Sequence, residues 1–282
     1  MRSGSKLPTI SRLDPVKDHQ QIVHLDCCYE FPFDFTRSLE FALFRTYCVP
    51  SISGLLRRTG EFSRCPQKRY DDTDILLSAL MEWGYDSEQG NAALVRMNAI
   101  HGLFEISNED YLYVLSTFVF EPSRWIDQFG WRPMTQREKL ALFHFWRAVG
   151  KRMGIRDIPE SYDDFEHFNC QFERTRFRFD EANRHIGNAT MELFASWFPW
   201  PLRPLVRRVI HAMLDERTRE AFGLPAPSPW LRALAKSGLR LRALFLRLLP
   251  VRARPRLRTH MRHPTYPDGY RIDAIAPTYF RE

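Results

Sequence analysis

The sequence predicts an all-α fold, and three observations support this prediction. Apolar residues recur at helical spacing through most of the chain. Ser, Thr and Asp stand where these periodic segments begin, often with carboxylates in the first turn, and Pro or Gly stands near their ends. The alternating pattern that is typical of strands is absent. We therefore expect one large helical domain of about nine helices.

The predicted helices follow one another between start and stop signals. Asp34 is a candidate N-cap for the first, and Pro50 separates it from a short helical piece at 51–59. Residues 63–70 are polar and are expected to form a loop. Asp71 then opens a helix with acids in the first turn, where the helix dipole favours them. The nine helices are predicted at 34–49, 71–84, 87–105, 107–126, 135–153, 161–179, 180–197, 204–222 and 230–249.

Several of these segments carry more specific signals. Residues 135–138 read Thr-Gln-Arg-Glu, which is a capping box. The helix from 107 is apolar on nearly every side, so we expect it to be buried all round, and Pro122 is expected to kink or split it. The acidic run at 71–74 is compatible with a metal site but more often caps a helix. Further candidate N-caps are Ser87, Ser107, Ser161 and Asp180.

The length permits one large domain or two ordinary ones, and the composition is sufficient for a large core. The 282 residues are 44% hydrophobic and 14% aromatic, which is enough to fill a large interior. We expect a flexible N-terminal arm at 1–20, the helical domain at 21–250, and an irregular basic tail at 251–282 that packs on the domain. The net charge of +7 permits attraction to anions. Because no recognised nucleic-acid module is present, we expect no nucleic-acid partner.

Cysteine usage and hydropathy predict an intracellular setting. The five Cys are an odd number without C-x-x-C spacing, which argues against a disulfide framework and a structural zinc site. A reducing cytoplasm is the simplest environment. No secretory signal is apparent, and the longest apolar run, at 111–120, falls short of the ~20 residues that span a bilayer.

The segment 230–249 suggests a membrane contact. It combines basic residues with leucines at helical spacing, a pattern that suits a helix lying on an anionic membrane surface. The same pattern fits a surface helix packed on its own domain. The sequence alone leaves these two interpretations equally weighted.

The central helix contains a candidate ligand histidine. Within the apolar stretch 93–104, Asn98 and His101 are three residues apart and therefore share a helical face. A lone imidazole on such a helix can hold the iron of a haem. An ordinary core histidine has the same appearance and is more frequent.

An arginine in the first predicted helix also needs an explanation. Arg45 and the neighbouring Thr46 lie among aromatic and aliphatic residues, where a guanidinium requires a partner anion or access to water. A haem propionate or a bound oxygen species would serve as that partner. A carboxylate of the same chain, such as Glu61, would serve equally well.

Seven segments of the sequence form an ordered set. They are ALFRTYCVPSIS (42–53), TGEF (59–62), KRYDDT (68–73), VRMNAIHG (95–102), ISNEDYLYVLSTFVFEPSRWI (106–126), GWRP (130–133) and TYPDGY (265–270). Taken together, they resemble the MpaB-like branch of the family of MpaB and rubber oxygenases. The resemblance extends over nearly the whole chain, from about residue 13 to about residue 277.

This resemblance implies one b-type haem inside the all-α fold, with His101 as the iron ligand. Rubber oxygenases carry an Arg three residues before that His; here Asn98 takes the place and Arg96 lies two residues further back, so both are expected at the cofactor. Their distal Lys-Thr pair corresponds to Arg45 and Thr46. Because Arg cannot lose its proton to bind iron, an open distal position is expected. Arg45 would stabilise charge on oxygen, and Thr46 would donate a hydrogen bond.

The resemblance further implies a haem b-dependent oxygenase that uses dioxygen to cleave a carbon–carbon double bond. The substrate would be isoprenoid-like or otherwise hydrophobic, and the helix at 230–249 could bring the enzyme to a membrane. Two alternatives remain open. One is a haem-binding carrier or sensor without turnover, and the other is a basic peripheral membrane protein that has lost the cofactor.

Overall fold

The computed structural model describes residues 2–278, and fourteen α-helices form this part of the chain. Its only strand-like feature is an isolated antiparallel bridge between His263 and Tyr266. The all-α prediction is confirmed. The helices are α1 (Leu7–Ile10), α2 (His19–Leu25), α3 (Pro32–Thr46), α4 (Pro50–Thr59), α5 (Glu61–Arg64), α6 (Pro66–Trp83), α7 (Glu88–His101), α8 (Asn108–Phe129), α9 (Gln136–Arg152), α10 (Tyr162–Arg176), α11 (Glu181–Ser196), α12 (Arg203–Met213), α13 (Glu216–Phe222) and α14 (Pro229–Arg247).

Helix α8 lies at the centre of the fold. Helices α3, α9, α10 and α14 pack against it, and most of its side chains are buried, as its apolar sequence predicts. Pro122 lies inside α8, so of the predicted kink or split the split does not occur. Because neighbouring helices bury residues on both sides of Pro122, tertiary packing outweighs the loss of one backbone hydrogen bond.

The loop predicted at 63–70 is also wrong. This segment contains the end of α5 and the first turn of α6. Pro66 occupies the start of α6, where its missing N–H has no helical partner to lose. The acidic run at 71–74 therefore lies within α6 instead of capping it, and its carboxylates bind other parts of the chain. Asp74, for example, accepts a 2.6 Å hydrogen bond from the Arg258 guanidinium.

The single helix predicted at 204–222 is two helices. Leu214 adopts an extended conformation after α12, and the Asp215 side chain then accepts a 2.8 Å hydrogen bond from the Thr218 N–H at the start of α13. An N-cap of this kind favours a new helix start over continuation of the old helix. The break matters because it directs the Asp215 carboxylate towards α3.

Both predicted terminal segments contact the domain. Within 2–20, Ile10 is buried and the Lys6 N–H donates a 2.6 Å hydrogen bond to Glu30. Within 251–278, Ile275 is buried against α7. Met1 and residues 279–282 lie outside the described residues. In the described part of the chain, no helix combines the length and apolar character needed to cross a bilayer.

Candidate functional site

A cavity of about 510 Å³ lies among helices α3, α4, α6, α7, α8 and α9. Its volume falls within the range of about 300–1,000 Å³ that is usual for small-molecule and cofactor sites. Most of its walls are apolar, with Leu, Ile, Met, Phe and Trp side chains from all of these helices. Pro277, in the C-terminal tail, also borders it. The arrangement suits a largely hydrophobic ligand.

Helix α7 brings His101 to this cavity. Met97, Ile100, His101 and Phe104 line the wall, and their spacing places them on one stripe of the helix and the turn that follows it. Ser87 fixes the start of α7 by accepting a 3.0 Å hydrogen bond from a backbone N–H. The sequence periodicity alone therefore determines that His101 faces the same side as these apolar residues.

His101 is neutral at physiological pH. Burial, and after it the positive charge of Arg69, lowers the pKa of the imidazole to about 4. The Nδ1 atom is buried and has no hydrogen-bond partner among residues 2–278. The ring contacts Tyr111 edge-on at 5.7 Å between centroids, which satisfies neither nitrogen. A core histidine usually has its buried nitrogens paired, so this environment favours a ligand-binding role over the ordinary one.

Helix α6 supplies a polar group to the same cavity. Arg69, Asp72 and Thr73 line it, on one face of the helix. The Arg69 guanidinium donates a hydrogen bond to the Thr73 hydroxyl. The Asp72 carboxylate is buried and accepts a 2.7 Å hydrogen bond from Lys68 Nζ and another from the Tyr266 hydroxyl. The cavity thus has a cation, a carboxylate and a hydroxyl at fixed positions.

The structure places Arg45 away from the cavity. Its guanidinium donates two hydrogen bonds to Glu173 and lies 3.2 Å from Glu121 and in contact with Asp215. Three carboxylates of this chain surround the guanidinium, and Arg45 is not among the residues that line the cavity, so its donors are directed at these acids and not at a ligand in the cavity. A carboxylate of the same chain is the alternative partner that the sequence suggests for Arg45, and the structure shows such partners. They are Glu121, Glu173 and Asp215, and not Glu61.

Thr46 does border the cavity, one residue beyond Arg45. Its side chain is buried, and its hydroxyl donates a 2.8 Å hydrogen bond to the Leu43 carbonyl. That proton is therefore engaged with the backbone of α3. The hydroxyl oxygen keeps lone pairs that can accept a hydrogen bond from a ligand.

Arg96 and Asn98 do not line the cavity, although His101 does. Arg96 is buried and donates to the Ile275 carbonyl, which ties the C-terminal tail to α7. Asn98 donates a 3.1 Å hydrogen bond to the Arg152 carbonyl at the end of α9. Their positions in α7 fit roles in holding neighbouring segments rather than contact with a ligand in the cavity.

The sequence interpretation missed the polar group on α6. The residues lie in the KRYDDT segment, but the predicted loop at 63–70 separated Arg69 from Asp72 and Thr73. A helix that starts at Pro66 places these three on one face, and that spacing was the available signal. Within the described residues, no group of three or more His, Cys, Asp and Glu side chains is arranged to hold a metal ion.

Comparison with protein families identifies the relatives of this chain. Residues 52–249 match the model of the family described as "ER-bound oxygenase mpaB/B'/Rubber oxygenase, catalytic domain". The chain belongs to the mpaB and rubber oxygenase family. The family predicted from the seven segments is confirmed. The matched part includes α6, α7 and α8, and so covers His101 and Arg69, whereas Arg45 and Thr46 precede it.

Individual members of the mpaB and rubber oxygenase family show similar agreement. The chain is 32% identical over 239 residues to the ER-bound oxygenase mpaB' of Penicillium brevicompactum, with 78% of this chain and 56% of that protein covered. It is 30% identical over 212 residues to the ER-bound oxygenase mpaB of Penicillium roqueforti (strain FM164), with 68% and 71% covered. The chain thus spans little more than half the length of the first relative.

Proposed function

We propose that this protein is a haem b-dependent oxygenase that uses dioxygen to cleave a carbon–carbon double bond of a hydrophobic, isoprenoid-like substrate. The observation that carries the proposal is His101, a neutral imidazole with an unpaired buried nitrogen in the wall of a mostly apolar cavity. Membership of an oxygenase family supports the reaction class.

The residues around the cavity fit a haem. The neutral imidazole of His101 has the lone pair that an iron ligand requires. Arg69 and Arg58 both line the cavity and could bind the two propionate carboxylates, for which Arg is well suited. Arg58 is exposed and Arg69 is half-buried, so the charged edge of the cofactor would lie towards solvent. A bound haem would supply the activation of dioxygen, which no protein side chain provides.

The protein itself would orient the substrate and exclude water. The apolar side chains from α4, α7 and α8 offer contacts to a hydrocarbon chain but few hydrogen-bonding partners to water. The Thr46 hydroxyl oxygen can accept a hydrogen bond from a polar group of the substrate. Within the α6 group, Lys68 and Tyr266 hold the Asp72 carboxylate, and Arg69 bonds to Thr73, so these groups are positioned before any ligand binds.

The first test is the visible absorption spectrum of the purified protein after addition of hemin. We expect a sharp Soret band in the wild type and a weak or shifted band in His101→Ala. His144→Ala is the matched control, because His144 lies on α9 and does not line the cavity. Equal bands in the wild type and in His101→Ala would refute the assignment of His101 as the iron ligand. Absence of a band in the wild type would refute the proposal that the protein binds haem.

Oxygen consumption distinguishes an oxygenase from a haem carrier. With a prenylated alkene as substrate, we expect dioxygen uptake together with formation of carbonyl products. A protein that binds haem through His101 but consumes no dioxygen with a panel of such alkenes would be a carrier or a sensor.

A further inference from the structure

Helix α14 exposes an apolar stripe on the side that faces away from the domain. Six large apolar side chains on this stripe and in the turn after it are between 52% and 81% exposed. They recur at helical spacing, so they form one continuous surface. We call this surface the α14 stripe. Its members are Trp230, Leu234, Leu241, Leu244, Phe245 and Leu248.

Intramolecular packing does not account for the α14 stripe. A different face of α14 packs on the domain: Leu231 and Ala243 are buried there, while Leu239 and Leu246 contact the main core. Arg242 on the inner side bonds to Asp34 at 3.0 Å. The helix is therefore apolar on two sides, and only one of them is covered by α8 and α12. A continuous exposed apolar surface of this kind is typical of an interaction site.

The neighbouring helix extends the exposed apolar surface. Trp200, Leu202 and Leu205 precede or begin α12, which packs against α14, and they are 79%, 47% and 52% exposed. Trp at such a position is common where a protein meets the interface between water and lipid. Two packed helices thus present large apolar side chains to the exterior.

The charge around the α14 stripe identifies the partner. Residues 221–267 contain ten Lys and Arg residues and no Asp or Glu, and two of the ten, Arg242 and Arg258, pair with carboxylates elsewhere in the domain. Lys236 and Arg240 lie beside the stripe and have no carboxylate partner among the described residues. A second copy of the chain would bring these like charges together, which opposes association. An anionic lipid surface would bind the cations and accept the apolar side chains.

We propose that the α14 stripe and its flanking cations dock this protein on the surface of an anionic lipid bilayer. The helix lies in the interface, with its apolar stripe among the lipid chains and Lys236 and Arg240 at the level of the headgroups. This proposal is independent of haem binding and of oxygenase activity.

The test is co-sedimentation of the full chain with vesicles of phosphatidylcholine alone or with added phosphatidylserine. We expect binding to the anionic vesicles, weakened by salt, and little binding to the neutral ones. The double variant Lys236→Glu/Arg240→Glu should lose about tenfold or more in affinity, because each basic residue near an anionic surface contributes substantially. The variant Leu241→Ser/Phe245→Ser should lose a comparable amount.

Matched controls lie on other parts of the domain surface. Lys151→Glu/Arg156→Glu changes the net charge by the same amount. Asn108 at the start of α8 bonds to the Arg156 carbonyl, whereas Arg247 of α14 bonds to the Trp131 carbonyl just after the end of α8, about 30 Å away along the helix. Val95→Ser/Leu103→Ser removes exposed apolar side chains on and just after α7. Both controls should bind vesicles as the wild type does, and circular dichroism should show that all variants are folded.

Three results would overturn the proposal. One is equal binding to neutral and anionic vesicles. Another is unchanged binding in both α14 variants. The third is a dimer in light scattering that the Leu241→Ser/Phe245→Ser variant abolishes, in the absence of vesicle binding, since the stripe would then be an interface between two copies.

Discussion

Replacement of Arg45 by Met tests whether this residue serves the fold or the cavity. The guanidinium contacts Glu121, Glu173 and Asp215, and both glutamates are largely buried. Without Arg45, these carboxylates would stay in the interior without their cation. Removal of one partner from a buried ion pair costs about 3–5 kcal/mol of the free energy of unfolding. We expect a loss in this range, with Asp215 contributing little because it is 46% exposed.

The effect of Arg45→Met should depend on pH. Burial raises the pKa of Asp215, but Arg45 and hydrogen bonds from Thr218 outweigh it and hold the pKa below the ordinary 3.8. A carboxyl with a depressed pKa stabilises the fold above its unfolded pKa, and this contribution is lost as the pH falls through the folded value. Arg45→Met removes that contribution, so the small share of the loss that comes from Asp215 should be present near pH 7 and should shrink below pH 4.

Urea unfolding followed by circular dichroism measures this difference in free energy. Arg176→Met is the control, because Arg176 and Glu109 form a 2.6 Å pair in which both side chains are about half exposed. Such exposed pairs contribute about 0–1 kcal/mol. The structural role of Arg45 would be refuted if Arg45→Met were as stable as the control. It would also be refuted if the variant kept its stability but lost the haem spectrum.

Two further substitutions test the interior. Burial raises the pKa of Glu40 to about 7 despite Arg37 and the hydrogen bond from Tyr70. The contribution of Glu40 to the free energy of unfolding is fully present below the unfolded pKa and is lost as the pH rises towards 7. Because Gln cannot ionise, Glu40→Gln should be more stable than the wild type by up to about 3 kcal/mol at pH 8 and should differ little at pH 4. An unchanged pH profile of urea unfolding would contradict this. Gly90→Ala should destabilise by about 1–3 kcal/mol or more, because the new Cβ would lie 1.9 Å from the Gly84 carbonyl oxygen. A thermal unfolding midpoint equal to that of the wild type would show that the backbone can move aside.

The sequence by itself determined the helical class, the family and five capped helix starts. Ser87, Ser107, Thr135, Ser161 and Asp180 cap their helices as predicted. Capping and helical periodicity depend on residues within four positions of one another, so the sequence displays them directly. For the same reason the sequence placed His101 on an apolar helix face.

Tertiary structure decided where the polar groups meet. Asp34 was predicted as an N-cap, but α3 begins two residues earlier and the carboxylate binds Arg242, which lies 208 positions later in the chain. Arg45 was expected at the reacting oxygen, but it meets carboxylates from α8, α10 and the start of α13. Arg69 reaches the cavity of His101 because α6 packs on α7. A buried charge takes whichever opposite charge the packed helices bring near it, and no local pattern specifies that partner.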